Sequence, residues 1–283
     1  MTSERRGILL VAAAALLWST GGIGIKFLSE PPLKIAFYRS ATAAVALLLL
    51  FRPRIWRWTP AFLIGIGSYA ACLTTFVLAT KWTSAANAIF LQYCGVVWVL
   101  LLSPLVLREP FRRRDGIAVA VAFLGMLLFF VGRFESRGYA GELSALASSV
   151  FFAVLVLALR RERGSGAEAV VTYGNVVAAL ALFPWVRNDL SVSAASAMVL
   201  CFLGVVQIAG AYALFVHGLK YVTATQASLV GMLEPICNPI WVFLMLGERP
   251  GAFSLLGGVI VLGAIGWRTI SAGPPAAEAV PPD

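Results

Sequence analysis

The stretch "GMLEPICNPIWV" holds a glutamate directly before a proline, and Glu234 is the one charged residue between Lys220 and Glu248. A carboxylate in so apolar a run is costly unless it faces a cavity, a proton path or a polar partner. Pro235 and Pro239 have no N–H, so they free backbone carbonyls at the same depth, which is tolerated where a helix lines a cavity or neighbours satisfy it. The chemistry open to Glu234 is to carry a proton through a cycle or to hold a substrate ammonium. The plainer role is a carboxylate hydrogen-bonded to a neighbouring helix. Helical spacing puts it on one stripe with Ala227, Gly231, Asn238 and Trp241.

Other polar and aromatic residues sit at similar depth: Trp18, Ser19, Tyr69, Tyr173, Asn175, Gln207 and Tyr212. Trp and Tyr normally gather at membrane interfaces. Placed deeper, they can form a stacking box for a flat or amphipathic solute, or they can pack with the hydroxyl or indole N–H satisfied by a neighbour. Arg39, after Tyr38, either meets a carboxylate substrate or snorkels to the interface. His217, the single histidine, lies beside Lys220 at a helix end and reads as structural. Intramembrane proteolysis would require a facing Ser and His, an H-E-x-x-H motif or two buried Asp residues. None is present, since Asp115, Asp189 and Asp283 all lie away from mid-membrane, so an enzyme is not expected. Cys72, Cys94, Cys201 and Cys237 have no C-x-x-C spacing and read as packing residues, with neither metal nor cofactor implied.

The elements that must position these groups follow from composition. The 283-residue chain is 60% hydrophobic and 12% charged, with a mean hydropathy of +0.89, and its uncharged stretches match the roughly 20 residues that cross a bilayer. The fold expected is an all-α integral membrane protein of ten spans, at about 7–28, 33–51, 59–81, 83–107, 114–132, 139–159, 166–186, 195–219, 222–246 and 251–270. Residues 1–6 form a short tail before a retained first helix, and the Pro- and Ala-rich residues 271–283 lack apolar side chains to bury and are expected to be disordered. With the N-terminus inside, fourteen cations fall on the cytoplasmic side: Arg5, Arg6, Arg52, Arg54, Arg57, Arg108, Arg112, Arg113, Arg114, Arg160, Arg161, Arg163, Lys220 and Arg268. Seven fall outside: Lys26, Lys34, Lys81, Arg133, Arg137, Arg187 and Arg249. That asymmetry favours an N-in, C-in topology. The net charge of +9 is therefore topological; it is spread over several short loops, and nucleic acid is not an expected partner.

"KWTSAANA" (81–88) and "KYVTATQA" (220–227) align 139 residues apart, and the same offset lays Glu109 of "LVLREPF" on Glu248 of "LMLGERP". "GILLVAAAALLW" from Gly7 likewise resembles "GELSALASSVFF" from Gly141, making Phe152 the counterpart of Trp18. Residues 7–132 and 139–270 thus read as two five-span repeats, inverted because five is odd. The offset carries the Glu234 stripe onto Ala88, Gln92, Gly95 and Leu102, so Gln92 is the candidate from the first half, with Tyr93 about 100° round the helix. Glu234-Pro235 itself has no counterpart, because Gly95-Val96 stands there. Glu109 precedes Pro110, and Glu248 stands two residues before Pro250. Each reads as a cap on the helix that follows, the fifth and the tenth, or as a gate ion pair with Arg108 or Arg249.

Ten spans in two halves, "LLWST" in the first helix and a Glu ending the fourth helix of each repeat resemble the drug/metabolite transporter superfamily and its EamA-type domains. "SYAACLTTFVLA" and "AYALFVHGLKYVTATQAS" look most like that superfamily's aromatic amino-acid exporters. The resemblance implies a multi-pass protein of the bacterial inner membrane, surrounded by lipid, that exports amino acids by alternating access through a central site. A phosphate-bearing substrate, as in the superfamily's sugar-phosphate relatives, would require cations at mid-membrane, where only Arg39 comes near.

Overall fold

The computed structural model describes residues 2–53, 58–129, 131, 139–246 and 252–270. Every regular element among them is helical. In chain order these are α1 (Ser3–Trp18), α2 (Gly21–Phe27), α3 (Pro32–Phe51), α4 (Pro60–Trp82), α5 (Ala85–Gln92), α6 (Gly95–Val106), α7 (Arg113–Phe129), α8 (Tyr139–Arg161) and α9 (Ser165–Val186). They continue as α10 (Ala194–Phe202), a π-helical segment (Leu203–Gly210), α11 (Ala211–Gly218), α12 (Ala224–Gly231), α13 (Leu233–Leu246) and α14 (Ala252–Ile270).

Helix starts fall where the sequence offers an acceptor for orphan N–H groups. Thr59 Oγ1 accepts from Phe62 N with Pro60 in the first turn, and Ser193 accepts from Ser196 N. Seven helical stretches are long and apolar enough to cross a membrane: Ser3–Phe27, Pro32–Phe51, Pro60–Trp82, Asn87–Val106, Tyr139–Arg161, Gly166–Val186 and Ala194–Gly218. Leu255–Ile270 is a shorter apolar helix. The two remaining expected spans coincide with α7, at 17 residues, and with the interrupted pair α12 and α13. The chain is therefore a multi-pass membrane protein.

Two interruptions match. α5 runs from Ala85 to Gln92 and α12 from Ala224 to Gly231, so both their starts and their ends are 139 residues apart. Their caps match as well. Ser84 Oγ accepts from Asn87 N, and Thr223 Oγ1 accepts from Gln226 N while the Gln226 side chain returns to the Thr223 backbone. Two close crossings also correspond. A Cβ at Gly7 would come within 2.8 Å of Tyr221, and one at Gly141 within 2.8 Å of Thr83 and Trp82.

The helices pack as α4 on α8 and α9, α3 on α9 and the π segment, α1 on α11 and α12, and α7 on α14. A buried Asp115–Arg268 ion pair joins the last two. Tyr69 and Phe215 are among the largest fully buried side chains, which puts aromatic bulk where α4 and α11 approach the centre.

Candidate transport site

Interrupted helices position the central residues. α5 ends at Gln92 and α6 begins at Gly95, so Tyr93 occupies the break and its ring turns toward the other half. Tyr93 Oη donates to Glu234 Oε2 at 2.8 Å and lies 2.6 Å from the Gly231 carbonyl. The first of these is the only described hydrogen bond to the Glu234 carboxylate, whose residue is 8% exposed. A hydrogen bond to a charged group contributes about 1.5–3 kcal/mol net.

This corrects the expectation drawn from regular helical spacing. Gln92 does not face Glu234: its Nε2 donates to Ser148 Oγ at 2.8 Å and lies 3.8 Å from Cys72 Sγ, toward α8 and α4. A 100° step assumes an unbroken helix, and the chain breaks at that step. Ser148 and Cys72, the cysteine read from the sequence as a packing residue, hold Gln92 in place; Ser148 Oγ also lies 3.2 Å from the Cys72 carbonyl.

The aromatic candidates divide. Trp18 meets Tyr212 and Phe215 with ring centroids 5.0 Å away in each case, and Tyr69 meets Tyr212 at 4.8 Å. Phe152, the counterpart of Trp18, lies 6.4 Å from Tyr93. Asn175 Nδ2 donates to Tyr69 Oη at 2.8 Å. Ser19 Oγ accepts from Trp241 Nε1 at 2.8 Å and donates to the Leu16 carbonyl. Trp241 shares the helical stripe of Glu234, the signal that could have marked it. Tyr173 is not part of this cluster. Its hydroxyl donates to the Pro53 carbonyl at 3.0 Å and its ring lies against Phe62, toward the α3–α4 connection. The side chain of Asn238 lies outside the described residues.

Gln207 bridges two elements. Its Nε2 donates to the Trp18 carbonyl at 3.2 Å, and its Oε1 accepts from Arg39 Nη2 at 2.7 Å. Arg39 is 2% exposed and does not snorkel.

A cavity of about 1060 Å³ lies away from this cluster, at the arginine-rich end, lined by Arg108, Glu109, Arg112, Arg160, Lys220 and Thr223 among others. Glu109 does not cap α7, the helix that follows it, and its described ion-pair partner is not Arg108. One oxygen accepts from Arg160 Nε at 2.7 Å and the other from Ala224 N at 3.1 Å, so it caps α12 of the other half. Arg160 Nη1 also donates to the Leu219 carbonyl. Local order pointed to Pro110, whereas the acceptor is used across the chain. Glu248 lies outside the described residues. His217 is half-exposed, with Nδ1 2.8 Å from the Ala213 carbonyl and its ring on Phe51.

Comparison with known proteins decides the family. Residues 5–131 and 139–268 each match the EamA-like transporter family. The chain belongs to that family. EamA-like proteins are transporters, so its role is transport and not enzymatic catalysis. An uncharacterized transporter of Archaeoglobus fulgidus is 24% identical over 276 residues, covering 91% of this chain and 95% of that one. The pseudopaline exporter CntI of Pseudomonas aeruginosa is 27% identical over 268 residues, covering 91% and 94%. A crystal structure at 18% identity superposes with a TM-score of 0.79 over 93% of this chain and 97% of its own, which establishes a shared fold.

Proposed function

We propose that this EamA-like protein is a ten-span secondary transporter of the bacterial inner membrane. It exports amino acids, aromatic and other apolar ones among them, by alternating access. The observation that carries the reading is the buried Glu234 carboxylate, hydrogen-bonded by Tyr93 from the opposite interrupted helix and near the aromatic packing of Trp18, Tyr69 and Tyr212. A carboxylate can hold a substrate ammonium, and ring faces add cation–π and stacking contact. Inverted repeats with interrupted helices place transporter sites near the bilayer centre, and the matched interruptions of α5 and α12 support two such repeats at 7–132 and 139–270. The exporter named among the relatives supports the outward direction.

Proteoliposome transport across a panel of labelled amino acids is the deciding experiment. Saturable uptake with counterflow, lost in Glu234→Gln whether or not a pH gradient is imposed, is the expected result. Loss of gradient-driven accumulation with exchange retained would make Glu234 a proton carrier, and wild-type behaviour in both settings would reduce it to a packing residue. The N-in orientation predicts that a cysteine near Arg113 is shielded from an impermeant thiol reagent in whole cells while one near Arg137 reacts.

A further inference from the structure

The geometry points to Arg39 as the group that binds the substrate carboxylate, so that the central site takes zwitterionic α-amino acids in preference to amines or bare anions, which bind through one end only; this rests on the proposed Glu234-centred site. A guanidinium offers five N–H donors and no acceptor. Arg39 is 2% exposed, and Nη2 spends one hydrogen on Gln207 Oε1. Nε and Nη1 have no acceptor among the described residues. An ionised group buried with most of its donors unused is strongly unfavourable, and in a membrane interior such a residue marks a ligand path.

The surroundings fit a ligand rather than a vestigial charge. Gln207, which holds the guanidinium, is tied to the Trp18 carbonyl, and the next residue, Ser19, is tied to Trp241 on the helix that carries Glu234, so the free donors belong to the same cluster as the carboxylate. Gln207 is itself fixed, held by the Trp18 carbonyl and pressed on Gly21, where a Cβ would stand 2.6 Å from its Nε2. It therefore orients Arg39 and leaves the second Nη2 hydrogen, with Nη1 on one side or Nε on the other, as a fork of carboxylate geometry. The other deeply buried cations are occupied elsewhere: Lys34 by Asp189, Arg160 by Glu109 and Arg268 by Asp115. One guanidinium and one carboxylate in the same cluster match a zwitterion. A phosphate dianion would meet a single cation and the repulsion of Glu234.

Thermal stabilisation of the purified full-length protein by four probes tests this: phenylalanine, 3-phenylpropanoate, phenethylamine and phenyl phosphate. Arg39→Gln is expected to weaken phenylalanine and 3-phenylpropanoate at least tenfold and to leave phenethylamine unchanged. Gln207→Glu, which keeps Arg39 but offers it a carboxylate within the protein, is expected to lose 3-phenylpropanoate in the same way, and it decides the matter should Arg39→Gln fail to fold. Unchanged acid binding in whichever variant folds, no acid binding by the wild type, or tighter binding of phenyl phosphate than of 3-phenylpropanoate overturns the assignment. If labelled amino acids do not move in proteoliposomes while 3-phenylpropanoate still binds through Arg39, the transport reading fails and the carboxylate site stands.

Discussion

The two interrupted helices have the same register and different contents. α5 and α12 start and stop 139 residues apart with a hydroxyl cap before each, yet the residue matching Glu234 is Gly95. At Gly95 a Cβ would come within 2.7 Å of the Ser149 carbonyl, so that position is closed by helix contact, whereas the Glu234 side receives a hydroxyl from Tyr93. One interruption is a packing joint and the other carries a charge. Two interruptions of one register can thus differ in content, with the carboxylate at the second alone.

The largest effect is expected at the charge. Glu234→Gln should lower amino-acid transport in proteoliposomes at least tenfold with an unchanged size-exclusion profile, and retained transport would erase the functional difference between the joints. Tyr93→Phe removes the hydroxyl that reaches across them to Glu234 Oε2 and the Gly231 carbonyl, and we expect a several-fold fall in transport with a stability loss of about 1.5–3 kcal/mol in thermal unfolding. Gly95→Ala and Gly231→Ala sharpen the packing side. The first should destabilise by about 1–3 kcal/mol by overpacking. The second, whose nearest contact would be Tyr93 Oη at 3.7 Å, should change stability by no more than about 1 kcal/mol in the same assay; equal losses would make the joints alike.

The smallest effect lies outside both. Bonds from the Ser191 hydroxyl and then Lys34 hold the exposed Asp189 carboxyl down to about 2, against an ordinary 3.8. A depressed folded value contributes stability above the ordinary one and loses it as pH falls. The Tm difference between wild type and Asp189→Asn should therefore shrink from pH 5 to pH 2, and a constant difference would remove Asp189 from the account.

Much of the helical skeleton was legible because uncharged runs, prolines and hydroxyl caps are local signals. The interruption at Gln92–Gly95 was not, for the first half lacks the prolines that mark the second. That omission exchanged the roles of Gln92 and Tyr93. Arg39 stayed open between a substrate carboxylate and the interface because hydropathy reports depth and not partners, and its partner Gln207 is 168 residues away. Glu109 differed for a related reason: its sequence neighbour Pro110 suggested a local cap, while Ala224 N, 115 residues on, donates to its carboxylate. Trp18, Ser19, Tyr69, Gln207 and Tyr212 stood out as polar or aromatic residues in apolar runs, and the same criterion singled out Tyr173, which lies apart against Pro53 and Phe62.

The π-helical segment Leu203–Gly210 has one more consequence. Residues five apart on an α-helix point about 140° away from each other, yet Gln207 and Tyr212 both reach Trp18, one through its carbonyl and the other through its ring. Bonding from i to i+5 widens the turn and brings them onto one side. The arrangement therefore depends on a residue count as well as on residue types. Deleting one position from Leu203 to Val206 would let the stretch close as an α-helix with Gln207 and Tyr212 still five apart, about 140° from each other. They could then no longer face Trp18 together, even with all three side chains still present.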